Sequence, residues 1–192
     1  MLSAAILAGG RATRFDGRDK CALIVDGRSI LERQIAELSQ LTGDILLVGG
    51  RTSHEHVRTV PDLAPGCGPL GGLYTALREA RGDATVVVAC DMPYLCAPLL
   101  MHLSALTREA DAVVPQTERG YHPLCAAYTR ACVEPIARRL ADGRLKVIDL
   151  FSDVRLRVVM PEELGEFGDP DRLLANVNTP SEYTAALQHH QL

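Results

Sequence analysis

The chain has 192 residues, of which 47% are hydrophobic and 23% charged, and its formal net charge at pH 7 is −4. This is the composition of a globular protein, and the length predicts one domain spanning residues 1–192. The negative net charge disfavours a nucleic-acid partner. The sequence also lacks an apolar run of about 18 residues, so no membrane-spanning helix and no membrane partner are predicted. The sequence has six scattered cysteines and no Cys-x-x-Cys motif. This spacing disfavours a zinc site and a disulfide framework, and it favours reduced thiols in the core of a cytoplasmic protein.

Short apolar runs alternate with helix-length segments along the chain, which is typical of an α/β domain. Two of the runs are almost entirely apolar, as expected for parallel strands that are covered on both faces. The pattern therefore predicts a three-layer α/β/α sandwich with a mostly parallel central sheet. The predicted strands are Ser3–Leu7, Ile45–Val48, Thr85–Ala89, Ala112–Val114, Leu124–Tyr128 and Arg155–Val159.

Several predicted helices carry readable ends. Ser29 and Glu32 form the pattern of a capping box, which predicts a helix over Ile30–Leu41 that Gly43 ends. Thr179 and Pro180 are placed to open a last helix. Further helices are predicted over Leu70–Ala80 and Glu134–Ala141, and a long loop over Gly165–Asn176.

A loop rich in glycine and arginine follows the first predicted strand. Small residues at the end of a strand let backbone N–H groups approach an anion, and guanidinium groups suit phosphate oxygens. Open α/β sheets also bind ligands beyond the carboxyl ends of their strands. The loop therefore predicts a triphosphate site, and the alternative is a solvated basic loop with turn glycines. Its cations are Arg11, Arg14, Arg18 and Lys20.

From Leu7 to Lys20 this loop reads LAGGRATRFDGRDK. It resembles the nucleotide loop of the molybdenum cofactor guanylyltransferases, within the Rossmann-like nucleotidyltransferase superfamily. The resemblance implies that Arg14 and Lys20 neutralise the phosphates, although Phe15 replaces a usual methionine and Asp16 a usual glycine. The residues that the resemblance places at the guanine nucleotide are Leu7, Ala8, Gly9 and, beside them, Gly10.

A second glycine-rich segment, Gly66–Gly71, formally matches the G-x-G-x-x-G fingerprint of dinucleotide-binding proteins. That fingerprint needs its first glycine directly after a strand, whereas a proline-containing stretch intervenes here, and Pro69 stands where a free amide is expected. The longer segment PDLAPGCGPLGGL resembles a segment of the guanylyltransferases that packs near base and ribose. Asp62 then falls on that family's nucleotide-contacting aspartate. The alternative is a tight loop that caps the next helix.

Asp91 directly follows a buried strand, at the place where α/β sheets bind ligands. Magnesium takes hard oxygen ligands and often only one or two carboxylates. The segment CDMPYL resembles the family's segment whose aspartate holds Mg²⁺, so Asp91 is the predicted metal ligand. Asn178, in a segment that resembles the family's carboxyl-terminal motif, is a second candidate ligand. The alternatives are that Asp91 only caps the helix near Pro98 and that Asn178 binds substrate or fixes the turn into the last helix.

His122 lies in a segment that resembles the family's segment on the acceptor side, so it is a candidate contact to a pterin acceptor or else a structural histidine. The predicted catalytic residues are Lys20, Arg14 and Asp91. The resemblance implies transfer of GMP from Mg·GTP to molybdenum-molybdopterin, with molybdoenzyme apoproteins or their chaperones as further partners. The alternatives are a cytidylyltransferase that uses CTP and a non-catalytic nucleotide-binding accessory protein.

Overall fold

The structure is a computed structural model that describes residues 1–8, 20–50, 54–177 and 183. Within these ranges the chain forms both strands and helices. The strands are β1 (Leu2–Leu7), β2 (Ile24–Val25), β3 (Arg28–Ser29), β4 (Ile45–Val48), β5 (Val57–Val60), β6 (Ala84–Ala89), β7 (Ala112–Thr117), β8 (Gly120–Tyr121), β9 (Cys125–Thr129) and β10 (Leu156–Val159). The helices are α1 (Ile30–Leu38), α2 (Gly68–Glu79), α3 (Ala97–Leu106), α4 (Val133–Ala141), α5 (Pro161–Leu164) and α6 (Pro170–Leu173).

The central sheet has the strand order β10-β7-β9-β6-β1-β4-β5, and β8 pairs with β7 at its margin. Neighbours β6, β1, β4 and β5 are parallel, as are β7 and β10, whereas β9 runs antiparallel to both β6 and β7. The start of β9 therefore lies at the same edge as the carboxyl ends of β6 and β7. The predicted mostly parallel sheet is confirmed, but the direction of β9 had no signal in its apolar pattern.

Alternate residues of β1 contribute to two different hydrophobic clusters, because successive side chains of a strand point to opposite faces. Ala4 and Ile6 pack in one cluster with residues of α1 and α3, whereas Ala5 and Leu7 pack in the other with residues of α2 and α4. The sheet is thus covered by helices on both faces. This arrangement confirms the predicted α/β/α fold class.

Helix α1 begins as predicted but ends three residues earlier. The Ser29 hydroxyl accepts from the Glu32 amide, and the Glu32 carboxylate accepts from the Ser29 amide at 2.8 Å, which completes the capping box. At the other end, the amides of Gln40 and Leu41 donate to carbonyls three residues back, so the last turn tightens and the α-helix ends at Leu38.

Other elements also differ from the prediction: β7 runs three residues further than predicted, to Thr117, and α3 had no predicted bounds. The stretch Gly165–Asn176, predicted as a loop, contains α6, whose N-cap Asp169 accepts from the amide of Asp171. The predicted last helix at Thr179 lies outside the described residues. Within the described ranges, no helix is both long and apolar enough to cross a bilayer. The extent of the domain over residues 1–192 stays a prediction.

Candidate nucleotide and metal site

Leu7 and Ala8 lie where the chain leaves the middle of the sheet. Leu7 is paired with Val48 of β4 on one side and with Ala89 of β6 on the other. The Ala8 amide donates to the Val48 carbonyl at 2.9 Å, and the Cys90 amide donates to the Leu7 carbonyl at 3.2 Å. Both neighbouring strands therefore hold the start of the predicted phosphate loop at the carboxyl edge of the sheet.

The rest of that loop lies largely outside the described residues, including the predicted site residues Gly9, Gly10 and Arg14. Lys20 begins a short 3₁₀ turn, Lys20–Ala22, that packs against α1. The side chain of Lys20 is not among the described parts of the chain. The phosphate roles predicted for Arg14 and Lys20 therefore stay predictions.

Asp62 lies two residues beyond β5, at the same carboxyl edge as Leu7. Its Oδ1 accepts from the Ala64 amide at 3.0 Å and from the Thr75 hydroxyl at 2.9 Å. Thr75, on α2, also accepts from the Leu63 amide at 2.9 Å. Among the described residues, no donor contacts Oδ2 of Asp62, so this oxygen can accept from a ligand while Oδ1 holds the loop.

The glycine-rich segment forms a tight loop before α2 and departs from the dinucleotide fingerprint. Residues 61–67 separate β5 from α2, and Gly66 and Gly68 have positive φ angles of 85° and 61°. A Cβ on Gly71 would lie 2.5 Å from the Ala64 carbonyl oxygen, because α2 packs directly on its own preceding loop. Gly71 is therefore required by this close approach, whether or not a ligand is bound.

Asp91 follows β6 and is half-buried at the carboxyl edge. Its backbone carbonyl accepts from the Val177 amide at 2.8 Å. The alternative that Asp91 only caps the next helix is wrong, because Cys96 is the N-cap residue of α3 and the Ala97 amide donates instead to Glu37 Oε2 at 2.7 Å. The side chain of Asp91 therefore does not serve as the N-cap of α3.

A cavity of about 220 Å³ opens beside Asp91, and His122 and Asn176 line it as well. His122 arrives there because β9 runs antiparallel to β6, so the residues that precede β9 return to the carboxyl edge. Its backbone amide donates to Pro115 O at 2.9 Å, and its Nε2 lies 2.9 Å from the Thr117 hydroxyl. The structure therefore brings the predicted metal residue and the predicted acceptor residue into one cavity.

The surroundings of His122 favour the neutral form of its imidazole. Burial lowers its pKa below the usual 6.5, and the nearby Arg119 charge lowers it further, although Asp171 opposes this in part. A neutral imidazole has one N–H donor and one acceptor nitrogen. It is suited to hydrogen bonding with a ligand in the cavity without adding charge.

The side chains at this cavity fit a magnesium ion. Asp91 supplies a carboxylate and Asn176 an amide oxygen, and both are the hard oxygen donors that magnesium prefers. No group of three or more His, Cys, Asp or Glu side chains in the described parts of the chain could hold a metal. A single carboxylate completed by substrate phosphates and water is the usual arrangement for magnesium. Asn178, the second predicted ligand, lies outside the described residues.

Three residues near the site had not been singled out from the sequence. Asn176 and Tyr121 line the cavity of Asp91, and Gln34 is buried against the turn that carries Asp91. Gln34 had a usable signal, because it is a polar residue at helical spacing from the buried Ile30 and Leu38. Asn176 and Tyr121 had none beyond their closeness in sequence to Asn178 and His122.

Comparison with known proteins agrees with this geometry. Residues 4–155 match the model of the family described as MobA-like NTP transferase domain. The chain is 35% identical over 184 residues to a probable molybdenum cofactor guanylyltransferase of Pelotomaculum thermopropionicum, covering 94% of this chain and 89% of the relative. It is 30% identical over 187 residues to a molybdenum cofactor guanylyltransferase of Desulfosudis oleivorans, covering 94% and 92%.

Solved structures give the same result. The molybdopterin-guanine dinucleotide biosynthesis protein A of Archaeoglobus fulgidus superimposes with a TM-score of 0.83 at 25% identity, over 98% of both chains. The 2-C-methyl-D-erythritol 4-phosphate cytidylyltransferase of Thermus thermophilus superimposes with a TM-score of 0.71 at 13% identity, over 98% of both chains, and so shares the fold alone. With the sheet, the edge site and the family match in agreement, the chain belongs to the MobA-like NTP transferase family, as its resemblance to the guanylyltransferases predicts.

Proposed function

We propose that the protein is a molybdenum cofactor guanylyltransferase, which transfers GMP from Mg·GTP to molybdenum-molybdopterin. The observation that carries the proposal is the placement of Leu7, Ala8 and Asp91 at adjacent strand ends, beside the cavity that His122 lines. Triphosphate and acceptor would meet at this edge. The names of the relatives support guanylyl transfer as the reaction.

The nucleotide side of the site consists of the phosphate loop and the loop before α2. Leu7, Ala8, Gly9 and Gly10 present backbone to the nucleotide. Asp62 accepts a hydrogen bond from it through Oδ2, while its Oδ1 stays bonded to Ala64 and Thr75. Positive side chains then offset the charge of the triphosphate, and these are Arg14 and Lys20.

Asp91 holds the magnesium ion in this proposal, with Asn178 as a second oxygen ligand. When bound, the ion neutralises charge on the phosphate oxygens of GTP. The backbone of Asp91 is anchored through its bond with Val177, so the carboxylate is presented from a fixed turn. Such preorganisation is how charge stabilisation contributes most to a transfer reaction.

The reaction itself is a displacement at phosphorus. An oxygen of the acceptor's terminal phosphate attacks the α-phosphorus of GTP, and the bond from that phosphorus to the bridging oxygen breaks. Pyrophosphate leaves with the electron pair of that bond, and the product is molybdopterin guanine dinucleotide. The attacking phosphate is already ionised at neutral pH, so no side chain has to remove a proton. Positioning and charge neutralisation by Lys20, Arg14 and Asp91 therefore carry the catalysis.

His122 contacts the acceptor from the other wall of the cavity. Its lowered pKa keeps the ring uncharged, so it orients the acceptor through hydrogen bonds and leaves charge compensation to Lys20 and Arg14. The cytoplasm is the proposed location, supported by the six free cysteines in the described chain. Molybdoenzyme apoproteins or their chaperones are proposed to receive the product.

A nucleotide panel tests the proposed function. Binding of GTP, CTP and ATP is measured with Mg²⁺, and pyrophosphate release is then followed with GTP and loaded molybdopterin. We expect tightest binding of GTP and release that depends on the acceptor. Preference for CTP would replace the guanylyltransferase assignment with that of a cytidylyltransferase. Tight GTP binding without pyrophosphate release would indicate a non-catalytic accessory protein.

A further inference from the structure

The turn after β6 carries Asp91. Its carbonyl groups lie beyond the regular hydrogen bonding between the strands of the sheet. Ala89 is the last residue of the strand, and the chain then turns through Asp91 and Met92 before α3. Met92 is 2% exposed, so the backbone on either side of Asp91 lies against the protein interior. Buried carbonyl groups need donors, because leaving them without one costs free energy.

Gln34 supplies those donors from α1. Its Nε2 donates to the Ala89 carbonyl at 2.7 Å and to the Met92 carbonyl at 3.0 Å. A side-chain amide has two N–H groups, and here both are used, one on each side of Asp91. The neighbouring Arg33 adds a bond from its Nε to the Pro93 carbonyl at 3.1 Å. Two adjacent residues of α1 therefore tie down the whole turn.

Gln34 is an expensive residue at this position if its role is only to fill space. It is 1% exposed, and its own Oε1 is buried without accepting a hydrogen bond from any described residue. A buried acceptor left in this way costs about 1–3 kcal/mol. The flanking buried residues of α1 are apolar. A leucine at position 34 would avoid this cost but would leave the Ala89 and Met92 carbonyls without the donors that Gln34 provides. The amide therefore satisfies both carbonyls and fixes the geometry of the turn between them.

We propose that Gln34 is a positioning residue that sets the orientation of the Asp91 carboxylate for magnesium. This inference rests on the proposed function, in which Asp91 is the metal ligand. Gln34 does not itself touch the ion or the substrate. It acts through its hydrogen bonds to the backbone of Ala89 and Met92, which lie on either side of Asp91 in the chain. Partners that orient a metal ligand typically change metal affinity by about 10–100-fold when they are removed.

The test compares Gln34→Met with Leu38→Met, a substitution of similar size in the same buried face of α1. For each protein, the affinity for GTP is measured without acceptor, once with saturating Mg²⁺ and once with EDTA. The ratio of the two affinities reports the metal contribution to binding, independently of turnover. We expect Gln34→Met to reduce this ratio about tenfold or more. Leu38→Met should keep the wild-type ratio, and affinity in EDTA should change less than about twofold in both variants.

A steady-state experiment adds a second readout. The kcat of Gln34→Met should be low at limiting Mg²⁺ and should recover as Mg²⁺ is raised, with little change in the KM for GTP at saturating metal. A residue that only stabilises the fold would not produce a deficit that the metal rescues. If Gln34→Met does not fold, Gln34→Leu serves in the same measurements.

The outcomes separate this inference from the proposed function. If Gln34→Met keeps the wild-type ratio while Asp91→Ala loses it, the positioning role is wrong and the metal site stands. If Gln34→Met weakens GTP binding equally in Mg²⁺ and in EDTA, its role is structural and the inference is also overturned. If Asp91→Ala itself keeps the wild-type ratio, both the metal assignment and the role of Gln34 are wrong.

Discussion

The carboxyl edge of the sheet has two halves that are built differently. The half formed by β1, β4 and β5 is entirely parallel, and it offers strand ends, glycine turns and the carboxylate of Asp62. The half around β6, β7 and β9 contains the antiparallel strand, which returns the chain to the edge and brings His122 beside Asp91.

In the proposed function, the two halves of the edge bind different substrates. A nucleoside triphosphate is recognised largely through backbone groups and cations, which loops at parallel strand ends provide. Orienting a second substrate and a metal ion requires side chains from distant parts of the chain. Asp91 follows the parallel strand β6, and the antiparallel strand β9 adds His122, because it reverses the direction of the chain at that point. Five substitutions, with their controls, test whether the two halves act separately.

The largest effect is expected from removing Asp91 or Lys20, the residues proposed to offset charge in the reaction. Asp91→Ala and Lys20→Ala should each reduce kcat by about 10²–10³-fold or more, because each removes a preorganised charge. The melting temperature should hardly change, since the backbone bond between Asp91 and Val177 remains in Asp91→Ala. Pyrophosphate release and thermal unfolding are the measurements. Turnover at the wild-type rate in either variant would show that its assignment is wrong.

The next effect belongs to the nucleotide half alone. In Gly71→Ala the new Cβ would meet the Ala64 carbonyl oxygen at 2.5 Å, so the loop before α2 must shift. We expect a loss of about 1–3 kcal/mol in the free energy of unfolding and weaker GTP binding. Gly43→Ala is the control, since its Cβ would meet nothing within 4 Å. Denaturant unfolding and GTP titration measure both quantities, and equal stability of the two variants would contradict the close-packing argument.

A smaller effect is expected from removing the Thr75 hydroxyl, which donates a hydrogen bond to Asp62. Thr75→Val keeps the shape of the side chain but removes the hydroxyl that bonds Asp62 and Leu63. These partners are only partly buried, so water can replace some of the lost bonds, and we expect a loss of about 1 kcal/mol. The KM for GTP should rise in parallel, and Thr75→Ser should restore both values. A wild-type KM in Thr75→Val would mean that Asp62 does not need this support.

The smallest effect is a pH dependence in the acceptor half. Because burial lowers the pKa of His122, the folded protein binds fewer protons there than the unfolded chain does. The stability from the neutral ring is present above pH 6.5 and is lost as the pH falls below 6.5 towards the folded pKa. Melting temperatures between pH 7.5 and 5.5 should fall more in wild type than in His122→Gln. Identical pH profiles would contradict a buried neutral imidazole, and GTP affinity should be unaffected in this variant.

The sequence predicted those elements whose determinants lie within a few neighbouring residues. The alternation of apolar runs indicated the strands, and Ser29 with Glu32 indicated the start of α1, because a capping box is complete within four residues. The end of α1 was placed too late, since the tightening of its last turn leaves no mark that distinguishes it from a continuing helix. The α6 turn inside Gly165–Asn176 was missed because four residues are too few to show a helical period.

The sequence by itself determined the fold class and the placement of Leu7 and Asp91, since residues that follow parallel strands must emerge at one edge of the sheet. Only the tertiary structure decided that β9 reverses, that His122 and Asn176 share a cavity with Asp91, and that Gln34 bonds to the turn that carries Asp91. Those contacts join segments from about 30 to more than 80 residues apart. They depend on which strands pair and which helix covers them, and no periodicity within a single segment encodes that choice.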